Sequence, residues 1–204
     1  MKNLLFISLF LSAAVHSQVK KMDIEKFRKH IGLTDKENIT SNRTFTYENG
    51  GNVITLWQQS SGEYREDVQK KNSVYTTTFL YNQYTYALQY EGLYCKGTPV
   101  GIHKKYSKYG KLIEQTDQDL ALREIGVFTR KDMAKIMKRD FNINIEKEDE
   151  LYMMNAFDKD GKYFWRIVCR PHPEKGADFA PAFAYLFDAQ TGKFLSKSVF
   201  VIEG

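Results

Sequence analysis

Residues Phe179 to Leu195 read FAPAFAYLFDAQTGKFL, and this stretch decides the fold. Phe183, Tyr185 and Phe187 alternate with smaller positions, the two-residue period of a half-buried strand. Asp188-Ala189-Gln190-Thr191-Gly192 breaks that period and Phe194 to Ile202 resumes it, so the segment predicts strand, tight turn, strand. Asp188 is short enough for its carboxylate to accept backbone N–H groups one or two residues on. Gly192 can take the positive φ that closes a hairpin of three to five residues. These roles assign Asp188, Thr191 and Gly192 to a structural turn. A metal or catalytic role for Asp188 would need a second carboxylate or a histidine at matched spacing, and none stands nearby.

A strand ending in an aromatic, followed by Asp-Ala-x-Thr-Gly-Lys-x-Leu, resembles the last hairpin of PepSY domains. These are small exported modules found in the propeptides of secreted peptidases and in stand-alone envelope proteins. The preceding chain follows the same order. Thr129 to Phe141 corresponds to the family's helix, and Tyr163-Phe164-Trp165-Arg166-Ile167-Val168 is similar to its Tyr-Trp-x-Val strand. The likeness spans about residues 127 to 204. It implies a helix packed on a small antiparallel sheet, and a part in inhibiting or modulating a peptidase or another envelope enzyme. It also implies that exposed residues of the sheet and the neighbouring loop engage the partner. In the polar, proline-containing stretch Pro171 to Asp178 the nearest candidates are His172, Glu174 and Lys175, since loops on rigid scaffolds often carry recognition.

At the other end, Met1 to Ser17 has a lysine at position 2, an apolar run from Leu4 to Val15 and small residues before Gln18. This is the three-part pattern of a secretory signal peptide, and the run is too short to span a bilayer, which takes ~20 residues. Cleavage after Ser17 is expected, with Ala14 as the alternative site. It would remove Lys2 and no acid, lowering the net charge from +5 by one to +4. The expected compartment is the periplasm or the exterior, with no transmembrane segment left after cleavage. A mild basic excess favours solubility and does not argue for nucleic acid. With 13 Tyr, 14 Phe and only 4 Pro, the composition suits a β-rich globular protein rather than a disordered one.

Asp23 to Ile31 reads as a short amphipathic helix, with Ile24, Phe27 and Ile31 on one face. Thr34 and Glu37 could form a capping box for another turn of helix. Asn49-Gly50-Gly51-Asn52 is turn chemistry. From Val53 the period becomes two, with strands expected at Val53–Trp57, Ser73–Tyr81, Tyr84–Cys95 and Ile102–Lys108. A meander of antiparallel strands is the economical arrangement. Within it, Gly97, Gly101, Tyr106, Gly110, Lys111 and Leu112 make residues 90–112 resemble a single MORN-variant repeat, with His103 near the family's usual tryptophan. One copy cannot bury a continuous core, so a hairpin within a larger sheet is expected. The run His103 to Lys111 interleaves lysine and tyrosine, and a lysine-protected sheet edge explains it without a nucleic acid.

Asp117 to Phe128 lacks a clean period and marks the junction between modules. Thr129 then caps a helix whose stripe is Met133, Ile136, Met137 and Phe141. Leu151–Phe157 and Tyr163–Arg170 flank the hairpin turn Asp158-Lys159-Asp160-Gly161. It is not a calcium loop, because Trp165 and Ile167 stand where oxygen ligands are required. Trp165, Ile167 and Cys169 share a strand face and are expected in the core. Zinc, nucleophile-elbow and phosphate-loop motifs do not occur, and no cofactor is expected. His30, His103 and His172 stand in lysine- or proline-rich settings and read as surface. Cys95 and Cys169 fall in separate modules, and an oxidising compartment would permit a disulfide between them.

The fold class that results is α+β: residues 1–17 a signal peptide, 18–117 an antiparallel β-meander, 118–204 a helix packed on a small antiparallel sheet. The leading functional reading is an exported, non-catalytic module that binds another protein, a peptidase or envelope enzyme. The alternatives are an immunity protein that neutralises a bacterial toxin, and an enzyme with a fold-assembled thiol site. N-terminal sequencing of the exported protein should begin at Gln18; a start at Met1 would overturn the compartment assignment.

Overall fold

The structure is a computed structural model that describes residues 20–31, 43–58, 62–147, 150–170 and 181–200. Helix α1 (Ile24–Ile31) precedes a seven-stranded meander. Its strands are β1 (Arg43–Asn49), β2 (Asn52–Gln58), β3 (Tyr64–Lys70), β4 (Tyr75–Tyr81), β5 (Leu88–Cys95), β6 (Thr98–Tyr106) and β7 (Leu112–Asp117). Helices α2 (Gln118–Glu124) and α3 (Arg130–Phe141) lead to β8 (Leu151–Lys159), β9 (Lys162–Cys169), β10 (Ala182–Asp188) and β11 (Phe194–Phe200). The first sheet runs β1 to β7 in sequence order and the second runs β11-β10-β9-β8. Every pairing is antiparallel and joins neighbours in the chain.

The hairpin loops account for that simplicity. Gly50-Gly51, Lys96-Gly97 and Asp160-Gly161 each have positive φ at both residues, the geometry of two-residue loops whose twist matches that of the flanking strands. The registers Asn49↔Asn52, Cys95↔Thr98 and Lys159↔Lys162 follow from them. The expected strand Tyr84–Cys95 is shortened to start at Leu88. Asn82 accepts the backbone N–H groups of Tyr84 and Thr85 at 2.9 Å each, closing a turn, and Tyr86 takes positive φ.

Strand β1 alternates Phe45 and Tyr47 with Thr44, Thr46 and Glu48, whereas β3 (YREDVQK) is polar between Tyr64 and Val68. Neighbouring strands satisfy its acids. Glu66 accepts from Tyr81 at 2.5 Å and pairs with Lys20 at 3.4 Å. Asp67 accepts from Trp57 at 3.1 Å, from Arg65 at 2.9 Å and from Thr78 at 2.6 Å. The lysine run His103 to Lys111, expected at a sheet edge from its charge, does not form one. It begins on β6, an interior strand, with Lys104 3.7 Å from Glu91 and Lys105 2.9 Å from Glu114, and continues into the turn before β7; the edges are β1 and β7.

Asp117 caps α2, accepting from Asp119 N at 3.0 Å and Leu120 N at 3.2 Å, and no α2 residue is buried, which explains the missing period at the junction. Thr129 and Asp132 form a reciprocal capping box on α3, which ends at Asn142 in the left-handed region. Two buried clusters result. Met22, Phe27, Ile54, Leu56, Tyr64, Tyr81 and Leu88 lie between α1 and the first sheet. The larger cluster joins Met133, Ile136 and Met137 of α3 to Met154, Trp165, Ile167, Tyr185 and Phe187 of the second sheet. It also draws in Val74, Cys95 and Val100 from the first, so one core spans both sheets.

At the last hairpin, Asp188 Oδ1 accepts from Gln190 N at 3.0 Å, Thr191 N at 2.8 Å and Thr191 Oγ1 at 2.9 Å, while Gly192 N donates to Asp188 O at 2.9 Å. Gly192 has φ +69°, and a Cβ there would lie 2.5 Å from Phe128 Cε2 and 2.9 Å from Ile136 Cδ1. Backbone strain and overpacking therefore add. Gly192→Ala is expected to lower stability by about 2–4 kcal/mol. Gly161→Ala, also at positive φ but with open space around its Cβ, should cost about 1 kcal/mol. Urea denaturation of the two variants checks the difference; equal midpoints would refute the packing account.

Candidate functional site

The residue that follows the Thr129 cap is a cation placed where none is expected. Arg130 is the first residue of α3, a position that usually faces water, yet its side chain is 2% exposed. It points back between the sheets. Nη1 donates to Glu146 Oε1 at 2.8 Å and to the Tyr75 hydroxyl, and Nη2 reaches the Ile145 carbonyl at 3.5 Å. Tyr75 in turn donates to Glu146 Oε2 at 2.9 Å. The Cys95 thiol lies beside the guanidinium, whose buried Nε makes no hydrogen bond of ordinary geometry.

Burial opposes the Arg130 charge, but the hydrogen bond to Glu146 and the neighbouring Cys95 and Tyr75 outweigh it and raise its pKa, so the charge persists. Burial would likewise push the Glu146 carboxyl up. The hydrogen bonds from Arg130 and Tyr75 and the Arg130 charge reverse that and hold it below the usual carboxylate range. Burial pushes the Tyr75 phenol up, keeping it a donor. Above this triad opens a cavity of about 400 Å³. Tyr75 of β4, Leu93 of β5 and Val100 and Gly101 of β6 form one side, with Asp119 of α2 and Arg130 and Lys131 of α3 opposite. The cavity exists because β6 bulges between its pairings at Val100 and Lys104, with Gly101 at φ +62°.

A second polar cluster lies within the first sheet. His103, read as a surface residue from its lysine neighbours, is 6% exposed, because β6 turns it inward against β5. Its Nε2 lies 2.9 Å from the Leu93 carbonyl, which can only accept, so Nε2 carries the hydrogen. In the neutral ring Nδ1 then accepts from Tyr90 at 2.6 Å, and Tyr90 accepts from Tyr94 at 2.6 Å. Gly92 leaves room for this chain, since a Cβ there would collide with the Tyr90 hydroxyl.

Cys95 and Cys169 are both buried free thiols, so the disulfide that an oxidising compartment would permit is not formed in the structure. Burial raises both thiols, Cys169 to about 12. His172, Glu174 and Lys175 lie outside the described residues, as does the expected signal peptide. Among the described residues no helix is long and apolar enough to cross a membrane. Sequence reasoning missed Arg130, Glu146 and Tyr75. The capping box was visible, but nothing in the pattern said that the residue following Thr129 turns inward.

No family model matches this chain, and no curated protein or solved structure is significantly similar to it.

Because the Glu146 carboxyl is held below its unfolded value of ~4.3, its contribution to stability is complete above that pH and is lost as pH falls through the lower folded value. Asp132 and Asp188 are lowered as well, by hydrogen bonds from Thr129 and Thr191, and share this acid limb. Glu146→Gln should therefore cost about 1 kcal/mol at pH 7, a modest figure because Glu146 is 42% exposed. It should also make the loss of stability between pH 5 and pH 3 shallower. Urea midpoints measured across that range test this; a parallel pH profile would show that the pair contributes nothing.

Proposed function

We propose that this chain is an exported, non-catalytic module that binds another protein and modulates it, the partner being a peptidase or another envelope enzyme. The observation that carries the reading is the exposed edge strand β11, in the hairpin that resembles PepSY domains. It is one of the two edge strands of the second sheet, the other being β8; it is exposed on both faces, and it presents Phe194, Leu195 and Val199 to solvent. Natural sheets blunt such edges, so an apolar edge left open is suited to pairing with a strand of another chain. The α3 stripe packed with β8, β9 and β10 supports the helix-on-sheet arrangement that the resemblance implies.

The immunity-protein reading draws on the opposite end of the molecule, where β7, at the end of the MORN-like segment, leaves Leu112 and Ile113 exposed on a second edge. The thiol-enzyme reading is disfavoured by chemistry, because a nucleophilic cysteine needs a lowered pKa and access to substrate, and both thiols here are buried with raised values.

Mature protein used as bait on its own envelope extract should recover one partner, identified by mass spectrometry. The variant Leu195→Lys/Val199→Lys should lose at least tenfold in affinity for it while melting at the wild-type temperature. Undiminished binding by this variant would remove β11 as the docking edge. A toxin as the recovered partner would favour the immunity reading.

A further inference from the structure

The cavity above Arg130 has no part in the proposed docking edge, and its composition is that of a ligand site. At about 400 Å³ it falls in the range of small-molecule sites, which combine apolar walls with a few placed polar groups. Tyr75, Leu93, Val100 and the bare backbone of Gly101 supply the apolar side. The polar groups are unevenly placed. Arg130 and Lys131 lie on the α3 side, with Asp119 the acid of the α2 wall. Arg130 spends Nη1 on Glu146 and Tyr75, leaving Nε without a hydrogen bond and Nη2 with one long contact. Lys131 is exposed, and its charge acts on the Glu146 carboxyl. A buried cation with an unused Nε donor beside a second, exposed cation is matched by an anion, and Asp119 turns that anion towards α3.

We infer that this cavity binds a single-chain amphiphile, with its apolar chain along Leu93, Val100 and Gly101 and its carboxylate against Arg130 and Lys131. The volume admits one medium-length chain and excludes a two-chain phospholipid. The site is formed by the first sheet together with α2 and α3, so it exists only when the helices are docked on that sheet. Occupancy would consequently stabilise the docked form by mass action.

Calorimetric titration of the full mature chain, with probes kept below their micelle concentrations, tests this. Decanoate should bind one to one and raise the melting temperature. Decanol, with the same chain and no charge, should bind at least tenfold more weakly, and acetate should show no saturable binding. Lys131→Glu, at an exposed position that leaves packing intact, should weaken decanoate at least fivefold and leave decanol unchanged. Leu93→Trp, which fills the cavity, should abolish both. If decanoate and decanol bind wild type equally, or neither binds, the inference is wrong. It is also wrong if Leu93→Trp melts cooperatively and still binds decanoate as wild type does. None of these outcomes bears on β11, whose variant should bind decanoate normally.

Discussion

A buried arginine holds this molecule together at its seam. Desolvating a guanidinium costs several kcal/mol unless its charge and donors are matched, so Arg130 fixes what must stand around it. The match is made by three groups from two separate places: Tyr75 on the first sheet, and Glu146 and the Ile145 carbonyl in the segment between α3 and β8. The three come together only in the docked arrangement. Apolar burial of Met133, Met137 and Trp165 supplies most of the cohesion, but it is non-directional. The Arg130–Glu146–Tyr75 triad provides direction, setting how α3 sits against β4.

The same economy governs the first sheet, where polar residues are kept inside by pairing them. Glu66, Asp67, Thr78 and His103 would each be costly in an apolar sheet, and each has a partner on an adjacent strand. Two of the partners are tyrosines, Tyr81 for Glu66 and Tyr90 for His103. A tyrosine offers an apolar ring to the sheet face and a hydroxyl at its tip, so one residue type serves packing and hydrogen bonding together.

What was legible in the sequence depended on whether the signal was local. The hairpin loops, the Thr129 capping box and the stripe of α3 are encoded within a few residues, and the alternation of Phe183, Tyr185 and Phe187 places two of the three in the core. Strand β3 was invisible because its acids are satisfied by residues distant in the chain, Lys20 and Tyr81 for Glu66, which periodicity does not register. His103 was misread because its neighbours are lysines, whereas a strand alternates its faces and exposes only every other residue. For the candidate site the limit is sharper. Arg130 and Tyr75 are 55 positions apart and Tyr75 and Glu146 are 71 apart, so only the assembled fold reveals that they meet.

The neighbour-to-neighbour order of both sheets bears on how the chain reaches this state. Each strand pairs with the one just made, so the loop closed at each step is short and the entropy lost in closing it is small. Contacts of large sequence separation are concentrated at the seam, where Thr98 Oγ1 donates to the Met154 carbonyl 56 positions away and Arg130 reaches Tyr75. Contact order is thus low within each sheet and high between them. The non-local part of the folding barrier is concentrated at one surface, and that surface shares Tyr75 and Arg130 with the cavity.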